Sequence, residues 1–173
     1  IGIKVDVPYL AKLSKNLDTE ISALVKKIYK QADGEFNLNS PKQLGEVLFD
    51  RLKISDEGAK KTKTGQRSTD AETLELLSDR HAIVKEILHY REIFKIKSTY
   101  VAPLSELADK NGRVHTTLLQ MGAATGRFSS KDPNLQNIPI AGEWGKQIRR
   151  GFIAEKGYEI ASCDYSQAEL RVL

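Results

Sequence analysis

The chain has 173 residues, 40% of them hydrophobic and 29% charged, with a formal net charge of +4 and a sequence pI of about 9.1. This composition suits one or two small globular domains; it excludes a disordered chain, and the absence of any apolar run near ~20 residues excludes a membrane-spanning helix. The single cysteine, Cys163, excludes an internal disulfide and fits a reducing compartment, the opening Ile1-Gly2-Ile3-Lys4-Val5-Asp6 is no secretory signal, and the mild basic excess is compatible with an anionic partner.

In chain order, residues 6–33 predict a long amphipathic helix. Asp6 is a natural N-cap and Pro8 suits the first turn. Leu10, Leu13, Leu17, Ile21, Leu24 and Ile28 recur at three- and four-residue spacing, and Asp33-Gly34 ends the pattern. Such a stripe is core packing. After the connector Phe36-Asn37-Leu38-Asn39, Ser40-Pro41 opens a second helix, with Gln43 placed for a capping box and Leu44, Val47, Leu48 and Leu52 as its buried face.

Residues 55–69 read as a loop. From Lys60 to Arg67 there are four basic residues, no acidic one, and interleaved hydroxyls. Lys60, Lys61, Lys63, Arg67, Ser68 and Thr69 can grip a phosphate backbone without reading sequence. The plainer alternative is a solvated charge run. Ser68-Thr69-Asp70 caps a short helix carrying Leu74 and Leu77. A long helix over about 80–101 follows, with Ile83, Ile87, Leu88 and Phe94 toward the core, expected to lie antiparallel to the first. Lys95 and Ser98 fall near its end, where they suit contact with a nucleic-acid strand; the plainer reading is that the lysine complements the helix dipole.

Arg113–Leu119 has strand composition. The polar block 120–140 carries Arg127, a rigid donor fork, and the amides Gln136 and Asn137. Minor-groove edges present acceptors on every base pair, so such donors touch any correctly paired duplex. Asp132-Pro133-Asn134 is a structured turn in any reading. Gly157 should turn the chain into a strand over 158–164, with Cys163 as a small core residue. Asp164 then stands where a strand hands over to a helix, and Ser166 with Glu169 forms a capping-box signal. An aspartate there is either a metal ligand or simply the end of the strand.

Asp164-Tyr165-Ser166-Gln167-Ala168-Glu169-Leu170-Arg171-Val172-Leu173 resembles motif A of the family A (DNA polymerase I-like) DNA polymerases. Thr125-Gly126-Arg127 through Ile138-Pro139 resembles a second block, from the palm of that family. Phe36 to Leu44 is similar to the base of its thumb, and Lys95-Ile96-Lys97-Ser98-Thr99-Tyr100 to a thumb helix. Four blocks in order span nearly the whole chain.

The resemblance implies an α+β fold: a helical thumb over residues 1–105, tipped by the basic loop, and the N-terminal part of a palm with a partial antiparallel sheet over 106–173. It implies extension of a primer on a DNA template by two-metal nucleotidyl transfer. Asp164 and the carbonyl of Tyr165 would bind two Mg²⁺ ions. Glu169 would be the steric gate against ribonucleotides, supported by Gln167 and Ser166. Arg127 would lie at the primer terminus, with Gln136 and Asn137 in the minor groove, and Ser129, Ser130 and Asn134 beside the backbone. Primer–template DNA and deoxynucleoside triphosphates are the implied partners, in the cytoplasm or nucleoid, with no membrane.

Ala141 stands where the family often has a basic residue, and Ala168 where it usually has a bulky aliphatic one, a departure expected to loosen the packing that positions Glu169. The fingers and a second acidic motif are expected beyond Leu173, on the same or a second chain, so the isolated chain is not expected to polymerise. The competing reading is a duplex-binding module without catalysis, which assigns no role to Asp164 or Glu169.

Overall fold

The computed structural model describes residues 1–61, 65–140 and 142–173, without the side chains of Ala168 and Glu169. The fold is α+β, with two small antiparallel sheets among its helices. Two compact units emerge: Ile1–Leu10 together with Pro103–Leu173, and Ala11–Ala102. The first ten residues, expected to join the helical half, thus cluster with the C-terminal one.

The Ala11–Ala102 unit is all helix and loop. Helix α1 (Val7–Gln31) begins in the other unit, where the Asp6 carboxylate accepts the Tyr9 N–H at 2.9 Å as the N-cap expectation requires. Within the helical unit α1 buries Leu13, Leu17, Leu24 and Ile28. It ends at Asp33 and Gly34, both at positive φ, where Gly34 N–H reaches the Tyr29 carbonyl.

Ser40 caps α2 (Pro41–Gly45) by accepting the Gln43 N–H at 3.4 Å. The expected capping box is modified. Gln43 Oε1 accepts the Asn37 N–H at 2.7 Å, while the Ser40 N–H goes to the Asn37 carbonyl. The helix widens into a π-helical stretch, Glu46–Arg51, in which Leu52 N–H reaches back five residues to Val47. Asp70 caps α3 (Ala71–Leu77) through the Thr73 N–H, and His81 caps α4 (Ala82–Ile96), which again continues as a π-helical stretch, Lys97–Val101.

The core joins Leu24 and Ile28 of α1 to Leu44 and Leu48, to Leu74 and Leu77, and to Ile83 and Ile87. Ion pairs along the seam mark the orientation of α4 and its continuation on α1: Lys27 with Glu86, Glu20 with His89 and Asp18 with Lys97. As one partner number rises the other falls, so the two helices are antiparallel, as expected. Phe94 departs from expectation. It is 38% exposed and stacks on Tyr90, because the buried face of α4 turns toward Ile93 and Ile96 before Phe94 is reached.

In the other unit, α5 (Ala102–Glu106) buries Leu104. Strand β1 (Ile3–Lys4) pairs with β2 (Arg113–Val114), Ile3 opposite Val114. Strand β3 (Thr117–Leu119) pairs with β4 (Ser129–Lys131), Leu118 opposite Ser130. The expected single strand over 113–119 is therefore two short ones serving two sheets. Val5 bridges to Phe152, and Glu155 ties Lys4 and Arg113 together.

Residues 142–150 form a helix, α6 (Gly142–Arg150), that buries Ile148, with Glu143 in its first turn and two arginines in its last. The expected strand over 158–164 is absent. This segment is exposed and has no ladder partner among the described residues, and a lone strand does not form without one. Cys163 is accordingly exposed rather than buried. The final helix, α7 (Ala168–Val172), starts from Gln167 at φ +54° with no side-chain cap from that residue, so Gln167 rather than the expected Ser166 holds the N-cap position.

Candidate nucleic-acid interface

The basic loop is anchored at both ends by its own hydrogen bonds. Lys61 and Arg67 form a bridge, and Ser68 N–H donates to the Lys60 carbonyl at 2.7 Å. Arg67 pairs with Asp50, and its guanidinium lies 4.8 Å over the Phe49 ring. Lys60 Nζ is 2.5 Å from Glu72, whose carboxylate raises the lysine pKa above its ordinary value. These cations are partly neutralised in place, while Lys61 is exposed. The expectation for Lys63 lies outside the described residues.

Ser68 Oγ accepts the Asp70 N–H, and so leads into α3. Thr69 is a correction. It is 4% exposed, so its hydroxyl is no surface donor, and its carbonyl accepts from Arg91 at 2.5 Å. Arg91 itself, half-buried and with its pKa lowered by that burial, is the residue that ties this loop to α4. Its place among the basic residues of α4 gave no sign of that role. Lys95 and Ser98 are both exposed.

In the other unit the block around Arg127 is built by side chains bonding to backbone. Gln136 Oε1 accepts the Ser130 N–H at 3.1 Å, and its Nε2 donates to the Phe128 carbonyl at 3.0 Å. The amide expected in a minor groove thus clamps the turn, keeping one N–H of Nε2 for anything else. Ser130 is a second correction. It is 5% exposed rather than at the surface, and its Oγ accepts the Leu135 N–H at 2.9 Å.

The same oxygen lies 2.7 Å from Thr116 Oγ1 and 3.1 Å from the Pro133 carbonyl. Thr116, which composition marked only as strand filler, also reaches the Pro133 carbonyl at 2.8 Å. Asn134 Oδ1 accepts the Gln136 N–H at 3.0 Å, the self-bonding typical of Asn in turns. Asp132–Pro133 is cis. Arg127 and Asn137 are exposed, and Ser129 is partly so on β4.

Asp164, Tyr165, Ser166 and Gln167 are exposed along the approach to α7. The side chains of Glu169 and Ala168, and Ala141, lie outside the description. Among the described residues no group of three His, Cys, Asp or Glu is placed to hold a metal ion. Asp164 and the Tyr165 carbonyl are hard oxygen donors that suit Mg²⁺ in kind, but they supply two ligands of an octahedron. No helix among the described residues is long and apolar enough to cross a membrane.

A solved structure, described as the POL domain of Pol1 from M. smegmatis in complex with DNA primer-template and dNTP, matches 99% of this chain and 30% of its own. The TM-score is 0.86 and the sequence identity 40%. That likeness defines the class, the fold of a polymerase domain. DNA polymerase I of Chloroflexus aurantiacus is 50% identical over 175 residues, and the thermostable DNA polymerase I of Thermus aquaticus 51% over 173. Each alignment covers 99% of this chain but only 19% and 21% of the relative, so the chain spans about a fifth of their length. The profile of DNA polymerase family A matches residues 7–173, and the chain belongs to that family.

Proposed function

We propose that the chain is the thumb and first part of the palm of a DNA-directed DNA polymerase, with the boundary near residue 105. It binds primer–template duplex and supplies one catalytic carboxylate, Asp164. The observation that carries this reading is a family match over residues 7–173 together with a 0.86 likeness to a polymerase domain described with primer-template and dNTP.

In this reading, exposed Lys61, Lys95 and Ser98, with Lys63, take the phosphate backbone and contribute affinity without sequence preference. Lys60, Arg67 and Ser68 join them at the loop's anchored ends, the first two by exchanging carboxylate partners for phosphates. Arg127 and Asn137 donate to minor-groove acceptors near the primer terminus, with the spare N–H of Gln136 beside them. Ser129 and Asn134 lie along the strand.

Asp164 and the Tyr165 carbonyl would hold Mg²⁺, which when bound activates the primer 3′ hydroxyl and stabilises charge on the phosphates. Glu169 would serve as the steric gate against a ribose 2′ hydroxyl, supported by Ser166 and Gln167. The fingers, the remaining palm and the incoming deoxynucleoside triphosphate complete the site. A cytoplasmic or nucleoid setting follows from the substrate.

The test is to place these 173 residues in the corresponding segment of the Thermus aquaticus enzyme, 51% identical here, and to measure primer extension. The chimera is expected to extend a primer with Mg²⁺ and all four deoxynucleotides. Asp164→Asn is expected to lower the rate by about 10³-fold or more, since the carboxylate holds charge at the reacting phosphate. An active Asp164→Asn chimera would sink the assignment. Should the chimera not assemble, duplex binding by the 173-residue chain separates a failed graft from a failed reading.

A further inference from the structure

The buried side of α1 carries Leu13, Leu17, Leu24 and Ile28. At about 100° per residue, Lys12, Lys15, Lys26 and Lys30 fall together on the opposite side. All four are exposed, and none makes an ion pair among the described residues. The acids of α1 do not neutralise them. Asp18 is drawn to Lys97 at 2.6 Å and Glu20 to His89 at 2.9 Å, both on the neighbouring helix. Between the lysines lie Thr19, Ser22 and Ala23, small and uncharged. The face therefore carries four uncompensated charges, equal to the net charge of the whole chain.

This arrangement works against the helix. Lys12 and Lys15 are like charges at i,i+3, and Lys26 and Lys30 at i,i+4, spacings at which like charges repel. No carboxylate among the described residues offsets that repulsion. From Lys12 to Lys30 the row runs straight for about 27 Å, along which duplex DNA presents on the order of 16 negative charges.

We propose that this outward face of α1 is a second binding surface for the phosphate backbone of duplex DNA, apart from the contacts of the basic loop and of Arg127. A protein partner fits poorly. The face offers no aromatic or large apolar anchor, and lysine is depleted where proteins meet. Protein–DNA interfaces are polar and strongly positive, and lysine ammonium groups meet phosphates irrespective of sequence. Duplex outside the primer terminus, lying beside the helix, is the occupant of matching charge and shape.

The experiment is fluorescence anisotropy of the 173-residue chain with a labelled blunt-ended duplex over a series of KCl concentrations. Three variants are compared: Lys12→Gln/Lys15→Gln/Lys26→Gln/Lys30→Gln, Lys60→Gln/Lys61→Gln/Lys95→Gln, and a control of equal charge change on other elements, Lys53→Gln/Lys110→Gln/Lys146→Gln/Lys156→Gln. In the α1 variant the slope of log Kd against log salt is expected to fall by about 3 to 4, with binding weakened about tenfold or more at low salt. The control is expected to change the slope by less than half as much, and circular dichroism to stay as in the unmodified chain.

An α1 variant that binds like the unmodified chain, or no more weakly than the control, overturns the inference. If in that case the Lys60/Lys61/Lys95 variant loses binding, the proposed function stands and the second surface falls. If the α1 variant alone loses binding, the second surface stands and the loop contacts fall. Absence of duplex binding by the unmodified chain sinks both.

Discussion

The Ser130 hydroxyl has one proton and two acceptors within reach, Thr116 Oγ1 and the Pro133 carbonyl, while its oxygen already accepts from Leu135. Thr116 Oγ1 also reaches the Lys131 carbonyl at 3.1 Å, and two of the arrangements open to the pair keep the Ser130–Thr116 bond. Either Ser130 donates to Thr116 and Thr116 to Pro133, or Thr116 donates to Ser130 and Ser130 to Pro133. Ser130→Ala leaves the Leu135 N–H without its acceptor in a buried place. We expect a loss of about 1–3 kcal/mol in urea unfolding, with Thr116→Ser near neutral because it keeps the hydroxyl.

Asp109 offers a second test at this scale. Its carboxylate accepts from His115, first in effect, and from the Arg113 and Asn111 backbone N–H groups, which lower its pKa to about 2. A carboxylate depressed in the folded state stabilises above its unfolded value, and that contribution is lost as pH falls through the folded one. Between pH ~4 and ~2 the melting temperature should therefore fall more steeply than in Asp109→Asn; parallel curves for the two would refute the assignment.

The sequence made the identity of Gln136 and Ser130 conspicuous but not their direction. Side chains that read as outward donors are turned inward to close a turn whose backbone groups need partners. That need depends on a fold no local pattern displays.

At the scale of elements, two helical glycines behave oppositely. Gly45 has ordinary helical angles, as the N-cap of the π-helical stretch, and a Cβ there would meet its nearest neighbour, Thr69 Cγ2, at a comfortable 3.8 Å. Gly45→Ala should stabilise by about 0.5–1 kcal/mol through chain entropy alone. Gly145 in α6 sits under the Pro139 carbonyl, where a Cβ would come within 2.6 Å of oxygen. Gly145→Ala should cost about 1–3 kcal/mol. Thermal melts of the two variants should move in opposite directions.

The long helices were legible because their burial follows one 3.6-residue period. Phe94 was misplaced although it lies in phase with Ile83, Ile87 and Tyr90, since the buried stripe swings to Ile93 and Ile96 as α4 approaches its π-helical end. Helix α6 was missed because its polar residues outnumber Trp144 and Ile148; the sign that could have found it was Glu143 at one end and Arg149-Arg150 at the other. The strand over 158–164 was read from the turn at Gly157 and the apolar run that leads to Asp164, yet a strand is a property of a pair.

At the scale of the whole molecule, the helical character of one half, the strand content of the other and the family were all readable, because four separate blocks agreed in order over 173 residues. The division was less so. Residues 1–10 belong with the C-terminal unit through β1, whose two residues pair with a segment more than 100 positions away. So short a strand has no period to detect, and its partner is chosen by contact alone.

The three ion pairs between α1 and α4 differ from ordinary surface pairs in their order. Along α1 the signs run minus, minus, plus at Asp18, Glu20 and Lys27, and along α4 minus, plus, plus at Glu86, His89 (when protonated) and Lys97. Reverse one helix, and Asp18 would face Glu86 while Lys27 would face Lys97. Each exposed pair is a weak bond, yet the set works as a keyed connector: the signs match one way round, and the reversed insertion would set like charges face to face at both ends.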